Sequence, residues 1–187
     1  MMRHAGFASC LLLSVAAAVA QQAPPSSAMH ATMSLDALLQ EERQLQFDRF
    51  DGDTAAALGA ALVARARSAS RPVTLEIRLG ETVVFTHAMP GASPDHADWI
   101  RRKNNLVRRT GHSSFYTHNE VRQAGGDHDN LPGLDMRDYA AHGGAYPIVV
   151  RGRGAVGTVT ASGLPGADDH ALVVAALKDH LHIGDQP

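Results

Sequence analysis

Three groups of residues in this 187-residue chain have types and spacings that chemistry could use. Arg101, Arg102, Lys103, Arg108 and Arg109 place five of the 17 Lys and Arg residues within nine positions. On a helix, positions seven apart share a face, so Arg101 aligns with Arg108 and Arg102 with Arg109. Such a row suits a bidentate clamp for carboxylate or phosphate; its plainer use is a solvated face paired with acidic loop residues. His142 precedes Gly143 and Gly144, so an imidazole able to ligate a metal or haem iron sits beside backbone that a ligand can approach closely. Asp169-His170 stands at an expected helix start, where an anion is favoured and where His170 is a second candidate metal ligand. Ser113 and Ser114 follow Gly111-His112 in a partial nucleophile-elbow pattern without its last glycine, which leaves two uses for the hydroxyls: capping a helix or holding a ligand.

Other patterns carry less. The chain has 11 histidines. His180 and His182 are two apart, which puts them on different faces of a helix, and Asp127-His128-Asp129 is an acidic loop that could take a divalent cation adventitiously. Gly152-Arg153-Gly154-Ala155-Val156-Gly157 spells GxGxxG, but the β-formers Thr158-Val159-Thr160 follow it where a dinucleotide site needs a helix N-terminus, so it reads as a hairpin turn.

Composition bounds what these residues can serve. Hydrophobic residues make up 44% and charged residues 19%, a globular balance with a sizeable core. The formal net charge of −2 gives no global attraction to nucleic acid or anionic lipid, so neither is expected as a partner. Residues 1–20 run from Met1-Met2-Arg3-His4 through an apolar stretch to Ala18-Val19-Ala20, the layout of a signal peptide cleaved before Gln21. That stretch is too short for a transmembrane anchor, and residues 21–33 read as a flexible leader. Cleavage removes Arg3 and no acid, leaving 16 basic against 19 acidic residues, a net of −3. It also removes Cys10, the only cysteine, which rules out a disulfide, a thiolate nucleophile or a haem thioether in the mature chain. The expected location is the periplasm or the medium.

The elements that position the candidates follow from periodicity. Ser34 caps an amphipathic helix carrying Leu35, Leu38, Leu39 and Leu45, and Asp53 is expected to cap an Ala-rich helix over Thr54 to Ser68. Val73 to Leu79 and Thr82 to Ala88 form a hairpin around Gly80-Glu81. Asp95 opens a helix to about Arg109 that Gly111 stops, and Gly125 to Asp135 is a surface loop. Ala145 to Arg151 and Ala155 to Ala161 make a second hairpin, and Asp168-Asp169 open a last helix to about Leu181. Residues 34–183 are thus expected to form one α/β (α+β) domain.

The run Asp138 to Ile148, with its HGGxxPI core at His142 to Ile148, resembles the GlcG/HbpS-like haem-degrading domain family, as do Gly154 to Pro165 and Asp168-Asp169-His170. Ser93 to Lys103, which reads SPDxxxWIxRK, is similar to the signature of that family's largely uncharacterised branch. The resemblance spans about Leu35 to Leu181. It implies a profilin-like antiparallel sheet with flanking helices, assembly into homo-oligomers, and a ligand such as haem or a corrinoid. In haem-binding relatives the axial histidine lies near the N-terminal helix, where this chain has only His30 in the leader. The branch usually carries asparagine where His96 stands.

The resulting expectation is an exported, oligomeric binding domain for haem or a related anionic tetrapyrrole, with a link to haem degradation. Arg101, Arg102, Lys103, Ser113, Ser114, Gly143, Gly144 and Asp169 would contact the ligand, with His142 or His170 near the metal. Two alternatives stand beside it. One is an enzyme acting on a small acid through Ser113, Ser114, His142 and Asp169; the other is a structural or partner-binding module without a cofactor.

Overall fold

The computed structural model describes residues 33–184, so the expected signal peptide, His30 and all of the leader except Met33 lie outside the described residues. Ser34 caps α1 (Leu35–Gln44) by accepting from the Ala37 amide at 3.2 Å. A two-residue strand β1 (Gln46–Phe47) follows, then α2 (Gly52–Ala66). Asp51, not Asp53, caps α2: its Oδ1 accepts from the Thr54 amide at 2.9 Å and from the Thr54 hydroxyl at 2.8 Å, and Asp53 falls inside the first turn. The first hairpin is β2 (Thr74–Leu79) and β3 (Thr82–Ala88).

Next come α3 (His96–Thr110) and α4 (Ser114–Gln123). Asp95 occupies the cap position of α3 without a side-chain hydrogen bond, whereas Gly111, at φ +78°, ends the helix in the left-handed conformation expected of it. The helix α4 is not announced by periodicity, but its cap is: the Ser113 hydroxyl accepts from the Tyr116 amide at 3.1 Å. After a long loop, β4 (Ala145–Val150) and β5 (Gly154–Ser162) form the second hairpin, and α5 (Gly166–His180) closes the fold. The helix α5 begins two residues before Asp168, with Pro165 at the cap position and Asp168 and Asp169 in the first turn, where carboxylates meet the positive end of the helix dipole.

The sheet order is β1-β4-β5-β2-β3. The β4-β5, β5-β2 and β2-β3 pairs are antiparallel and the short edge strand β1 runs parallel to β4, so the architecture is a mainly antiparallel sheet with flanking helices. Strand alternation divides residues between its faces. Leu75 and Ile77 of β2 and Val159 and Ala161 of β5 join Leu58 and Leu62 of α2 and Val173, Val174 and Leu177 of α5 in one apolar core. Each fully buried leucine there contributes about 1.5–3 kcal/mol. The intervening Glu76, Thr158, Thr160 and Ser162 are largely or wholly buried and polar. Asn104 of α3 serves this second layer, donating to Glu76 Oε1 at 2.9 Å while its own Oδ1 accepts from the Thr160 hydroxyl. The hydrogen bonds that link Glu76, Asn104 and Thr160 help fix the helix register, because a slip would strand their buried donors and acceptors.

Candidate histidine cleft

His142 forms the wall between two adjoining cavities. One, of about 220 Å³, is lined by His96, Trp99, Lys103, His142, Gly166 and Asp169 among others. The other, of about 160 Å³, is lined by Phe115, His118, Asn119, Arg122, His142 and Gly166, among others. Both sit where the segment before β4 meets the start of α5. Gly143 permits that meeting, since a Cβ there would lie 2.0 Å from the Gly166 carbonyl oxygen. Gly144, at φ +120°, is pressed equally hard: a Cβ would lie 2.4 Å from the Ala161 oxygen and 2.9 Å from Lys103 Nζ. The close approach that these glycines allow is therefore by the chain's own backbone, although Gly143 also borders the second cavity.

Lys103 and Asp169 meet at the floor of the first cavity, 3% and 2% exposed, with Nζ donating to Oδ2 at 3.0 Å and to the Ala161 carbonyl at 3.2 Å. The Leu164 amide donates to the other carboxylate oxygen at 3.0 Å. Burial pushes the ammonium down and the carboxyl up, each opposed by the partner's charge.

The neighbouring guanidiniums face elsewhere, which corrects their expected role as a clamp at this cavity. Arg101 is held by Asp98 at 3.0 Å and Asp138 at 2.9 Å and donates to the Arg137 carbonyl. Arg102 stacks over Trp99 at 4.0 Å while Asp98 accepts from its Nε at 2.9 Å. Arg108 pairs with Glu81. Arg101, Arg102 and Arg108 thus form an acid-paired helix face, and Arg109 lies beside Arg108 at a separate pocket.

The expected convergence of Ser113, Ser114, His142 and Asp169 is not assembled. Ser113 and Ser114 are wholly buried and line neither cavity. Ser113 caps α4, and the Ser114 hydroxyl accepts from the Ala145 amide at 3.0 Å and donates to its carbonyl at 3.3 Å, pinning the start of β4. His170 is likewise turned inward. It is 1% exposed, its ring stacked 4.6 Å from Phe115 and its Nε2 3.3 Å from Glu41 Oε1, so it does not share a metal with His142 at the cavity wall.

What gathers around His142 is a set of imidazoles. Its ring lies 5.0 Å from Trp99, 5.2 Å from His128 and 6.2 Å from His118, and its Nε2 is 2.8 Å from Asp129 Oδ1. That hydrogen bond, ahead of all else, holds the Asp129 carboxyl below the ordinary range. His118 Nδ1 donates to the Ala141 carbonyl at 2.9 Å, which leaves the Nε2 lone pair free in the neutral ring. Burial lowers its pKa from 6.5, with His128, His142 and Arg122 adding repulsion. Because the folded state disfavours the charged ring, the unfolded chain takes the proton first as pH falls through 6.5, and stability drops in the window beneath that value. We expect His118 to titrate below 6.5 in side-chain NMR, and His118→Gln to flatten the acid-side loss of stability; a midpoint above 6.5 would contradict this.

Sequence reasoning missed His118, Asn119 and Arg122 because α4 carries them. Once Ser113 is taken as the cap, His118 and Arg122 at i and i+4 share one face, which was the available signal.

Comparison with known proteins agrees with this architecture. The family model described as "Haem degrading protein HbpS-like" matches residues 50–178. A UPF0303 protein of Azotobacter vinelandii is 42% identical over 153 residues, covering 82% of this chain and 92% of that protein. A UPF0303 protein of Streptomyces coelicolor is 44% identical over 141 residues, covering 75% and 89%. Among solved structures, the Ybr137w protein superposes with a TM-score of 0.74 at 26% identity, covering 84% of this chain and 93% of that one. A PduOC:heme complex superposes at 0.59 with 21% identity, covering 74% and 99%, which shows the shared fold. The chain belongs to the HbpS-like haem-degrading protein family.

Proposed function

We propose that the protein is an exported, oligomeric binding protein for haem or a closely related anionic tetrapyrrole, held at the His142 cleft. The residues fit such a ligand in kind. His142 offers an imidazole, Trp99 and Phe115 line the two cavities on either side of it, and Arg122 borders the second cavity with no ion pair among the described residues. An unpaired guanidinium at a cavity edge is the natural partner of a carboxylate. Each cavity is smaller than the roughly 300–1,000 Å³ that encloses a drug-sized ligand, so one chain covers such a ring in part and a second copy would complete the cover. Bound haem supplies an iron centre; the chain supplies the imidazole, the aromatic walls and the cation. The membership in an HbpS-like family and the PduOC:heme complex support this reading, and the imidazole shared by both cavities is the observation that carries it. Export rests on the pattern of residues 1–20.

The test is a hemin titration, followed at the Soret band, of protein recovered from the exported fraction, whose intact mass should begin at Gln21. We expect saturable binding that weakens at least about tenfold in His142→Ala, and by about threefold to tenfold in Arg122→Ala, as loss of a ligand and of a charge-assisted contact requires. An absent or unsaturable shift, or one unchanged in His142→Ala, would overturn the assignment.

A further inference from the structure

We propose that His128, Asp129 and His142, backed by His118, form a binding site for a divalent transition-metal ion of the zinc type. The site goes beyond the haem reading and stands without it, although the two share His142. One ligand atom from each of His128, Asp129 and His142 lies within 4.8 Å of the others. Asp129 Oδ1 is 2.8 Å from His142 Nε2, and its Oδ2 is 3.7 Å from His128 Nε2, so one carboxylate stands between two imidazoles. Ligands at about 2.0–2.1 Å from a tetrahedral ion stand about 3.3 Å apart. The first distance must therefore open by about half an ångström and the longest must close by about 1.5 Å. His128 and Asp129 belong to the loop between α4 and β4, outside the sheet and helix ladders; a turn bond from the Asn130 amide to the Asp127 carbonyl at 3.1 Å and one from the Asp129 amide to Asp127 Oδ1 at 2.9 Å hold them, so the closing falls to the side chains.

The wider geometry favours a metal over a chance cluster. Unlike an acidic patch, the group is mostly imidazole, and nitrogen donors with one carboxylate select borderline ions such as Zn²⁺, Co²⁺ and Ni²⁺ over Ca²⁺ or Mg²⁺. The His118 ring lies 4.2 Å from His128, and its Nδ1–H is already given to the Ala141 carbonyl. That carbonyl bond is the outer-sphere contact typical of metal-binding histidines; it fixes the tautomer and leaves Nε2 as a donor for a fourth position.

The experiment titrates chelator-stripped protein, mature from Gln21, with Co²⁺ followed by its visible ligand-field bands and by calorimetry, then displaces it with Zn²⁺. We expect one Co²⁺ per chain, with affinity reduced at least about tenfold in both His128→Ala and Asp129→Asn, while His128→Ala keeps its hemin titration. No saturable cobalt signal, or a signal retained in the His128→Ala/Asp129→Asn double variant, would overturn the site. Cobalt binding that survives in protein failing to take up hemin would sink the haem reading and leave the metal site standing.

Discussion

Lys103→Ala is expected to lose about 3–5 kcal/mol of stability, because it leaves the Asp169 carboxylate buried without its cation. The pair is 3% and 2% exposed and 3.0 Å apart, so the ammonium is the charge that compensates the buried carboxylate. With a urea m-value of about 2 kcal/mol/M, the unfolding midpoint should fall by about 2 M. The double variant Lys103→Met/Asp169→Leu separates a charge effect from simple loss of volume. It should recover part of the loss, since the uncompensated charge is gone while the Leu164 amide that donates to Asp169 Oδ1 loses its acceptor. A single variant within about 1 kcal/mol of the parent would show that the pair is neutral or hydrated, and the account of the cavity floor would fail.

Gly144→Ala should be almost as damaging, by about 3–5 kcal/mol, from two sources that act together. The residue sits at φ +120°, where a side chain is strained, and the new methyl would fall 2.4 Å from the Ala161 oxygen and 2.8 Å from Asp169 Cβ. Relief requires both a shift of the Gly144 backbone away from β5, which strains the Ala161 N–H donation to the Gly144 carbonyl at 2.9 Å, and displacement of the Lys103–Asp169 pair. Gly152→Ala is the control. It also replaces a glycine of positive φ, 75°, but nothing lies within 4 Å of its Cβ, so it should cost only the strain. Thermal melting of the two variants compares them directly; equal losses would show that crowding at Gly144 is absent.

The strands and the long helices were legible in the sequence because burial on one face leaves a period. The alternation of Leu75, Ile77 and Leu79 and the four-residue spacing of Leu58 and Leu62 are imprints of the core they enter. Where several residues were equally suited, the sequence could not choose: Asp51 and Asp53 are both good caps, and only the path of the chain decides for Asp51. The strand β1 has two residues, too few for any period, and α4 is polar on most sides and gains its place by burying Phe115 and Tyr116.

The site was harder to read, since contacts distant in sequence set it. Arg101 looks like a free cation until Asp138 meets it from another element. Lys103 looks like its charged neighbours, yet Ile100, Lys103, Leu106 and Val107 share the inward face of α3, and its spacing alone marked it as a core position. His142 was singled out for the glycines beside it and does form the wall between two cavities, but its companions His118, His128 and Asp129 come from α4 and the loop after it.

The central claim, that the ligand sits at the His142 end of the sheet, is tested most directly by paramagnetic broadening of backbone amide signals on adding hemin. The amides of Gly143, Gly166 and Ala167 at the cleft should disappear, while those of Gly80 and Gly152, at the opposite ends of β2 and β4 and about 20 Å away by strand length, should remain. Broadening centred on Gly80 and Gly152, or spread evenly over the chain, would contradict it.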